Sequence, residues 1–208
     1  MGVWSERVVP RMTDVMLGNK EVRRHRQRAA AGLHGVVLEI GFGSGLNIPV
    51  YPDEVEKVLA VEPSMVGRAL AADRIRSSGV HVEFVGLDGQ DIALPDGSAD
   101  SALSTFTLCT IPDAGRALRE VGRVLRPGGR LHFLEHGLCP DPGVARWQHR
   151  CNGFEQRFAG GCNLDRAIDE LVRDAGFAID DLSNCFMGGP KIARPWGYLY
   201  AGRATVSA

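Results

Sequence analysis

The chain has 208 residues, 44% hydrophobic and 24% charged, a composition that suits one globular domain with a generous core. Its 24 Lys and Arg balance 25 Asp and Glu, which leaves no general attraction to nucleic acid, and no run of about 18 apolar residues is present to span a membrane. The five cysteines (Cys109, Cys139, Cys151, Cys162 and Cys185) are odd in number and never spaced Cys-x-x-Cys, which argues against a disulfide frame or a zinc ribbon; with no apolar secretory leader either, a cytoplasmic location is expected.

Residues 3–33 read as two helices, an N-terminal cap (1–34) that should lie over the open end of the strands that follow. The second contains Lys20-Glu21-Val22-Arg23-Arg24-His25-Arg26-Gln27-Arg28, which reads as a solvated helix face rather than a phosphate or membrane contact. From Val36 onward short β-rich runs alternate with helical patterns, the signature of βαβ units and a parallel sheet. Strands are expected at 36–40, 57–62, 81–85, 101–107 and 130–135. Helices are expected at 64–77, capped by Ser64, and at 112–125, with Pro112 in the first turn; Pro127-Gly128-Gly129 then turns into the fifth strand. Two more helices (142–159 and 163–175) and two more strands (177–186 and 196–204) follow. No linker splits the chain, so residues 1–208 are expected to form one domain: the cap, a core at 35–136 and a flank at 137–208.

The first strand runs into Glu39-Ile40-Gly41-Phe42-Gly43-Ser44-Gly45, a turn that needs positive φ and close backbone approach to a ligand. A dinucleotide fingerprint would need a glycine at position 46, which is Leu46. An acid just before the glycines suits an ammonium group and would repel a pyrophosphate. S-adenosylmethionine carries that ammonium, a sulfonium and no phosphate, so the pattern favours it over a nicotinamide cofactor. Glu62, followed by Pro63, ends the second strand where an acid binds ribose hydroxyls in Rossmann-like sites. Asp88 and Gly89, after the third strand, are placed to face the adenine unless they are a plain Asp-Gly turn, and Thr105 lies at the end of the fourth strand, beside the cofactor.

Glu39 to Gly45, Glu62-Pro63, Asp88 with Leu94-Pro95-Asp96-Gly97-Ser98-Ala99-Asp100, and Glu120-Val121-Gly122-Arg123-Val124-Leu125-Arg126-Pro127-Gly128-Gly129 resemble the successive motifs of class I methyltransferases. The resemblance implies a Rossmann-like α/β fold, with a mostly parallel seven-stranded sheet and helices on both faces. It also implies that the glycine loop holds the methionine moiety, Glu62 the ribose and Asp88 the adenine. A narrower resemblance, to the thiol S-methyltransferases, rests on Gly45-Leu46-Asn47, Tyr51-Pro52, Leu108-Cys109, Glu135-His136, Gly161-Cys162-Asn163-Leu164 and Arg194-Pro195. It implies methyl transfer to a small molecule, a thiol before an oxygen, nitrogen or carbon acceptor. A reductase and a non-catalytic cofactor-binding module remain as rival readings.

The acceptor should lie beyond the carboxyl ends of the strands, near residues 105–110 and 135–137. His136 is the candidate base, because its ordinary pKa lies near neutrality. Cys109 and Cys162 read as small buried hydrophobes. His132 and His136 share a strand face, but without further ligands at usable spacing no metal is expected.

Overall fold

Continuous apolar runs can be buried only in a sheet covered on both faces. The computed structural model, which describes residues 4–207, has that architecture. Its strands are β1 (Gly35–Ile40), β2 (Val55–Val61), β3 (Val82–Gly86), β4 (Ala99–Thr105), β5 (Leu125–His136), β6 (Phe177–Phe186) and β7 (Tyr198–Val206). They form one sheet in the order β3-β2-β1-β4-β5-β7-β6, parallel except for β7, which runs antiparallel to both β5 and β6. The expected Rossmann-like α/β fold is therefore present. Strand order reverses between β1 and β4, and at such a switch point the diverging loops leave a crevice beyond the carboxyl ends.

Alternate residues of each strand face opposite layers. Leu38 and Ile40 of β1 join Leu131 and Phe133 of β5 under α4 (Ala114–Val124) and α6 (Ile168–Asp174). Val37 and Leu103 point the other way, against Ala30 and Leu33 at the end of α2 (Lys20–Ala30). α3 (Met65–Ser78) adds Ala71 to a third cluster with Val58, Ala60 and Phe42. α4 buries Ala114, Ala117, Leu118, Val121 and Val124, one stripe at helical spacing. From the same helix, Arg123 ties down the 92–96 loop by donating to the carbonyls of Ile92 and Leu94 and pairing with Asp96 and Glu120. The motif residues Glu120 and Arg123 thus serve the fold.

Several element ends differ from the sequence reading, each for a local reason. α4 starts after Pro112, because Asp113 caps it by accepting from the Arg116 N–H at 2.8 Å. β4 stops at Thr105, where the chain breaks away through Phe106 at φ 54°. β5 begins five residues early at Leu125, with Gly128 at φ 83° inside an irregular stretch of its pairing with β4. The helix expected at 142–159 is α5 (Pro142–Phe158), and the one expected at 163–175 shrinks to α6, since residues 163–166 are spent on the neighbouring loop: Asn163 bonds the Cys109 carbonyl through both its backbone and side chain, and Arg166 reaches the Leu108 and Ile111 carbonyls. Of the two N-terminal helices, α1 (Val9–Leu17) lies by the glycine loop, where Asp14 pairs with Arg74 and accepts from Ser44. α2 packs on a sheet face, where Ala29 meets Leu134 and Leu199, and sends Arg26 to Asn47 just beyond that loop.

Candidate active site

The crevice at the switch point is built first by glycines. Gly41, Gly43 and Gly45 sit at φ 71°, 57° and 77°, so the backbone turns sharply off the end of β1. At Gly41 a Cβ would run into the side chain of Thr107 from the loop after β4, so the two loops approach more closely than any side chain allows.

Glu62, at the end of β2, is almost fully buried and accepts from Gly43 N at 2.6 Å and Ser64 N at 2.7 Å. Pro63, between them, has no N–H to compete and lies exposed. Burial raises the Glu62 pKa against these two bonds, and each carboxylate oxygen keeps lone-pair capacity for a hydroxyl. Asp88 is exposed and accepts from the Gln90 backbone N–H and side-chain amide, both at 2.9 Å. Gly89 lies against Ile40 and Ile111, closing the side of the crevice.

The other end of the crevice holds two buried charges, Glu39, which the sequence reading named, and Arg26, which it placed in solvent. Glu39 is fully buried; it accepts from Asn47 at 2.8 Å and from the Tyr51 hydroxyl. Burial pushes its pKa up to about 7, opposed by those bonds and by Arg26. Arg26 corrects the reading of 20–28 as a wholly solvated face: its side chain is buried and donates to Asn47 at 2.8 Å and Thr105 at 2.6 Å. Its guanidinium lies 5.2 Å from the Phe106 ring, and its Nε is buried without a partner. Burial lowers its pKa to about 10. A cavity of about 350 Å³ opens beside it, with Arg23, Arg74 and Leu46 on its wall. The spacing Val22, Arg26, Ala29, Ala30 was the available signal, since these are the buried positions of α2.

Beyond the carboxyl ends of β4 and β5, Glu135 is buried and serves as floor, accepting from Ser104 at 2.7 Å and from Thr107 N at 2.8 Å. His132 does not join His136; its Nδ1 meets the Ala29 carbonyl at 2.8 Å. His136 instead places Nε2 2.8 Å from the Cys162 sulfur, while its Nδ1 is buried without a partner. Cys109 completes a trio: the two thiols and the imidazole bring their ligand atoms within 4.8 Å of one another. Both cysteines are buried as expected, yet they converge on a polar group rather than dissolve into the core. The hydrogen bond to Cys109, then burial, pushes the Cys162 thiol pKa up. The non-helical stretch before α6, held by Asn163, is what carries Cys162 here.

Comparison with known proteins agrees with this geometry. A methyltransferase domain family matches residues 38–133. The human thiol S-methyltransferase TMT1B is 30% identical over 82% of this chain and 72% of its own length. The human thiol S-methyltransferase TMT1A is 32% identical over 68% of this chain, a match that spans 59% of that relative's length. A solved SAM-dependent methyltransferase from Thermotoga maritima superposes with a TM-score of 0.69, covering 99% of both chains at 23% identity. Fold, glycine crevice and sequence relationship agree: the chain belongs to the class I S-adenosylmethionine-dependent methyltransferases and is an enzyme that takes its methyl group from that cofactor.

Proposed function

We propose that the enzyme methylates the sulfur of small thiols, with the donor held along the crevice from Asp88 to Arg26. The residues fit that donor. Its amino-acid end is a zwitterion, and the crevice ends in a buried carboxyl, Glu39, and a buried guanidinium with an unpartnered Nε, Arg26. Glu39 faces the ammonium and Arg26 the carboxylate, with Thr105 and Asn47 holding Arg26 in place. Gly41, Gly43 and Gly45 let the backbone lie against the chain of the ligand. Glu62 accepts from the ribose hydroxyls, while Asp88 and Gly89 edge the adenine. Replacing Glu62 by alanine should weaken S-adenosylhomocysteine binding by about 1.5–3 kcal/mol, the loss of hydrogen bonds to a charged acceptor. Calorimetry measures it; an unchanged affinity would place the ribose elsewhere.

S-adenosylmethionine supplies a methyl group on a sulfonium, whose sulfur departs as a neutral thioether. The chain must then align the acceptor, exclude water and present it in reactive form. The observation that carries the thiol reading is the Cys162–His136 contact: an imidazole nitrogen beyond the strand ends already lies 2.8 Å from a thiol sulfur. His136 is thus the catalytic residue of this reading, the group that brings the acceptor sulfur toward its thiolate. A thiol of pKa about 8.5 needs little help to ionise, whereas an alcohol needs a far stronger base. Kinship with the two thiol S-methyltransferases supports the same choice. Across a matched panel, small aliphatic thiols should be methylated faster than the corresponding alcohols, amines and phenols. Radiolabel transfer from the donor checks this, and a panel led by phenols or amines would overturn it.

A further inference from the structure

We infer that Cys109, His136 and Cys162 form a binding site for one thiophilic divalent cation of the zinc type, whose open position receives the acceptor sulfur. This rests on the thiol reading above and departs from the sequence expectation of no metal, which rested on the lack of Cys-x-x-Cys spacing and of further ligands beside His132 and His136. Three separate segments deliver the ligands: the loop after β4, the end of β5 and the loop before α6. Each approach is fixed by its own bonds. Asn163 ties the Cys162 loop to the Cys109 carbonyl, and Phe106 N bonds the Leu134 carbonyl so that the Cys109 loop leaves β4 beside β5.

The chemistry of the trio favours an ion. Both cysteines are free and buried, with Cys162 against the imidazole nitrogen and Cys109 against Cys162, so two weak S–H donors share one nitrogen acceptor. A divalent cation would replace both thiol protons, giving a buried group of two thiolates, a neutral imidazole and two positive charges, with no net charge. Zinc takes sulfur at about 2.3 Å and imidazole nitrogen at about 2.0–2.1 Å in a tetrahedron, which sets ligand atoms roughly 3.5–3.8 Å apart. The three atoms lie within 4.8 Å of one another and the His136–Cys162 pair is 2.8 Å apart, distances that bracket that spacing. Among the described residues, no fourth His, Cys, Asp or Glu joins the group. Three protein ligands and one open position is the pattern of catalytic rather than structural zinc. Soft sulfur ligands select thiophilic ions over magnesium or calcium.

With the ion bound, His136 would hold the metal through Nε2 instead of acting as base, and an acceptor thiol entering the fourth position would lose its proton to water and bind as thiolate. Its free lone pair then forms the bond to the methyl carbon, the sulfonium carbon–sulfur bond breaks, and that pair stays on the departing sulfur. The product thioether is a weak ligand and leaves.

The test uses the reduced 208-residue chain, stripped with chelator and titrated with cobalt(II), then with zinc(II). One equivalent of cobalt should bind, with strong thiolate-to-metal charge transfer, and zinc should displace it. Cys109→Ser and Cys162→Ser should each weaken zinc binding by more than about 100-fold, beyond the 10–100-fold loss from outer-shell changes. Thermal unfolding reports whether these variants fold. In the unmutated chain, bound zinc should protect Cys109 and Cys162, but not Cys151, from alkylation, as read by mass spectrometry. Adding 2-mercaptoethanol should raise the charge-transfer intensity, while ethylene glycol should not. Absence of saturable cobalt binding, or equal binding by the double serine variant, would overturn the site. If the metal-free enzyme methylates thiols at full rate, this inference fails while the thiol reading stands. A thiol-first panel lost entirely, with cobalt still bound by both cysteines, would remove the thiol reading and keep the site.

Discussion

Replacing Gly41 by alanine should destabilise the protein by about 2–5 kcal/mol and abolish measurable cofactor binding. Two costs add. A residue with a Cβ held at φ 71° loses about 1–2 kcal/mol relative to glycine. The new methyl also meets the Thr107 side chain, and overpacking of that kind costs about 1–3 kcal/mol. Thr107 cannot step aside freely, because its N–H is held by the buried carboxylate of Glu135 at 2.8 Å. The strain therefore passes into the loop that shapes the crevice. Gly79 supplies the control: it caps α3 at φ 74°, and an added methyl there would meet nothing within 4 Å, so its alanine variant should show the backbone cost alone and bind cofactor normally. Urea denaturation and calorimetry with S-adenosylhomocysteine would measure both. Shortening Thr107 to serine or alanine in the Gly41 variant should recover part of the loss, a coupling expected of side chains in contact. Equal effects at Gly41 and Gly79 would mean that the close approach of the two loops is unimportant.

The parts of this molecule readable from sequence are those encoded locally. The strands of the parallel core declare themselves as apolar runs because both faces are covered, and the glycine turn is legible because Gly41, Gly43 and Gly45 lie within five residues of one another. Glu62 follows from its place at the end of β2. What stays hidden depends on distant chain segments meeting. Arg26 sits in a run of cations, and its charge suggests solvent; only the apolar neighbours of its helix face, packed on β5 and β7, take it inside. Cys109 and Cys162 are 53 positions apart in the sequence, and their meeting is decided by the bonds of Asn163 and Arg166, which cost the expected helix its first turn. Asp88 shows the opposite limit: its local pattern is clear, yet the structure engages one carboxylate oxygen in a turn with Gln90.

Arg26→Ala should weaken S-adenosylhomocysteine binding by about 3–5 kcal/mol, the cost of leaving a buried charge without its partner, here the ligand's carboxylate. 5′-Methylthioadenosine lacks that carboxylate, so its affinity should change far less, and the preference for the longer ligand should collapse. Glu39 makes the same end of the site respond to pH. The groups facing it are Arg26 from α2, Tyr51 from the loop after β1 and Glu62 from β2. Its pKa in the folded protein is about 7, against 4.5 when unperturbed. The native state therefore holds a proton that the unfolded state has released, so this group's contribution to stability is fully present below pH 4.5 and is lost as pH rises through about 7. Binding runs the other way. The ligand's ammonium needs the ionised carboxylate, so affinity should fall as pH drops below about 7, by up to tenfold per unit. Glu39→Gln should flatten the profile. Arg26→Ala should shift its midpoint upward, since the guanidinium is one of the groups that hold the Glu39 pKa down. Titration of the dissociation constant from pH 5.5 to 8.5 in all three proteins decides the matter: a flat profile in the unmutated enzyme would mean that Glu39 does not face the ammonium, and equal losses for the two ligands would take Arg26 away from the carboxylate.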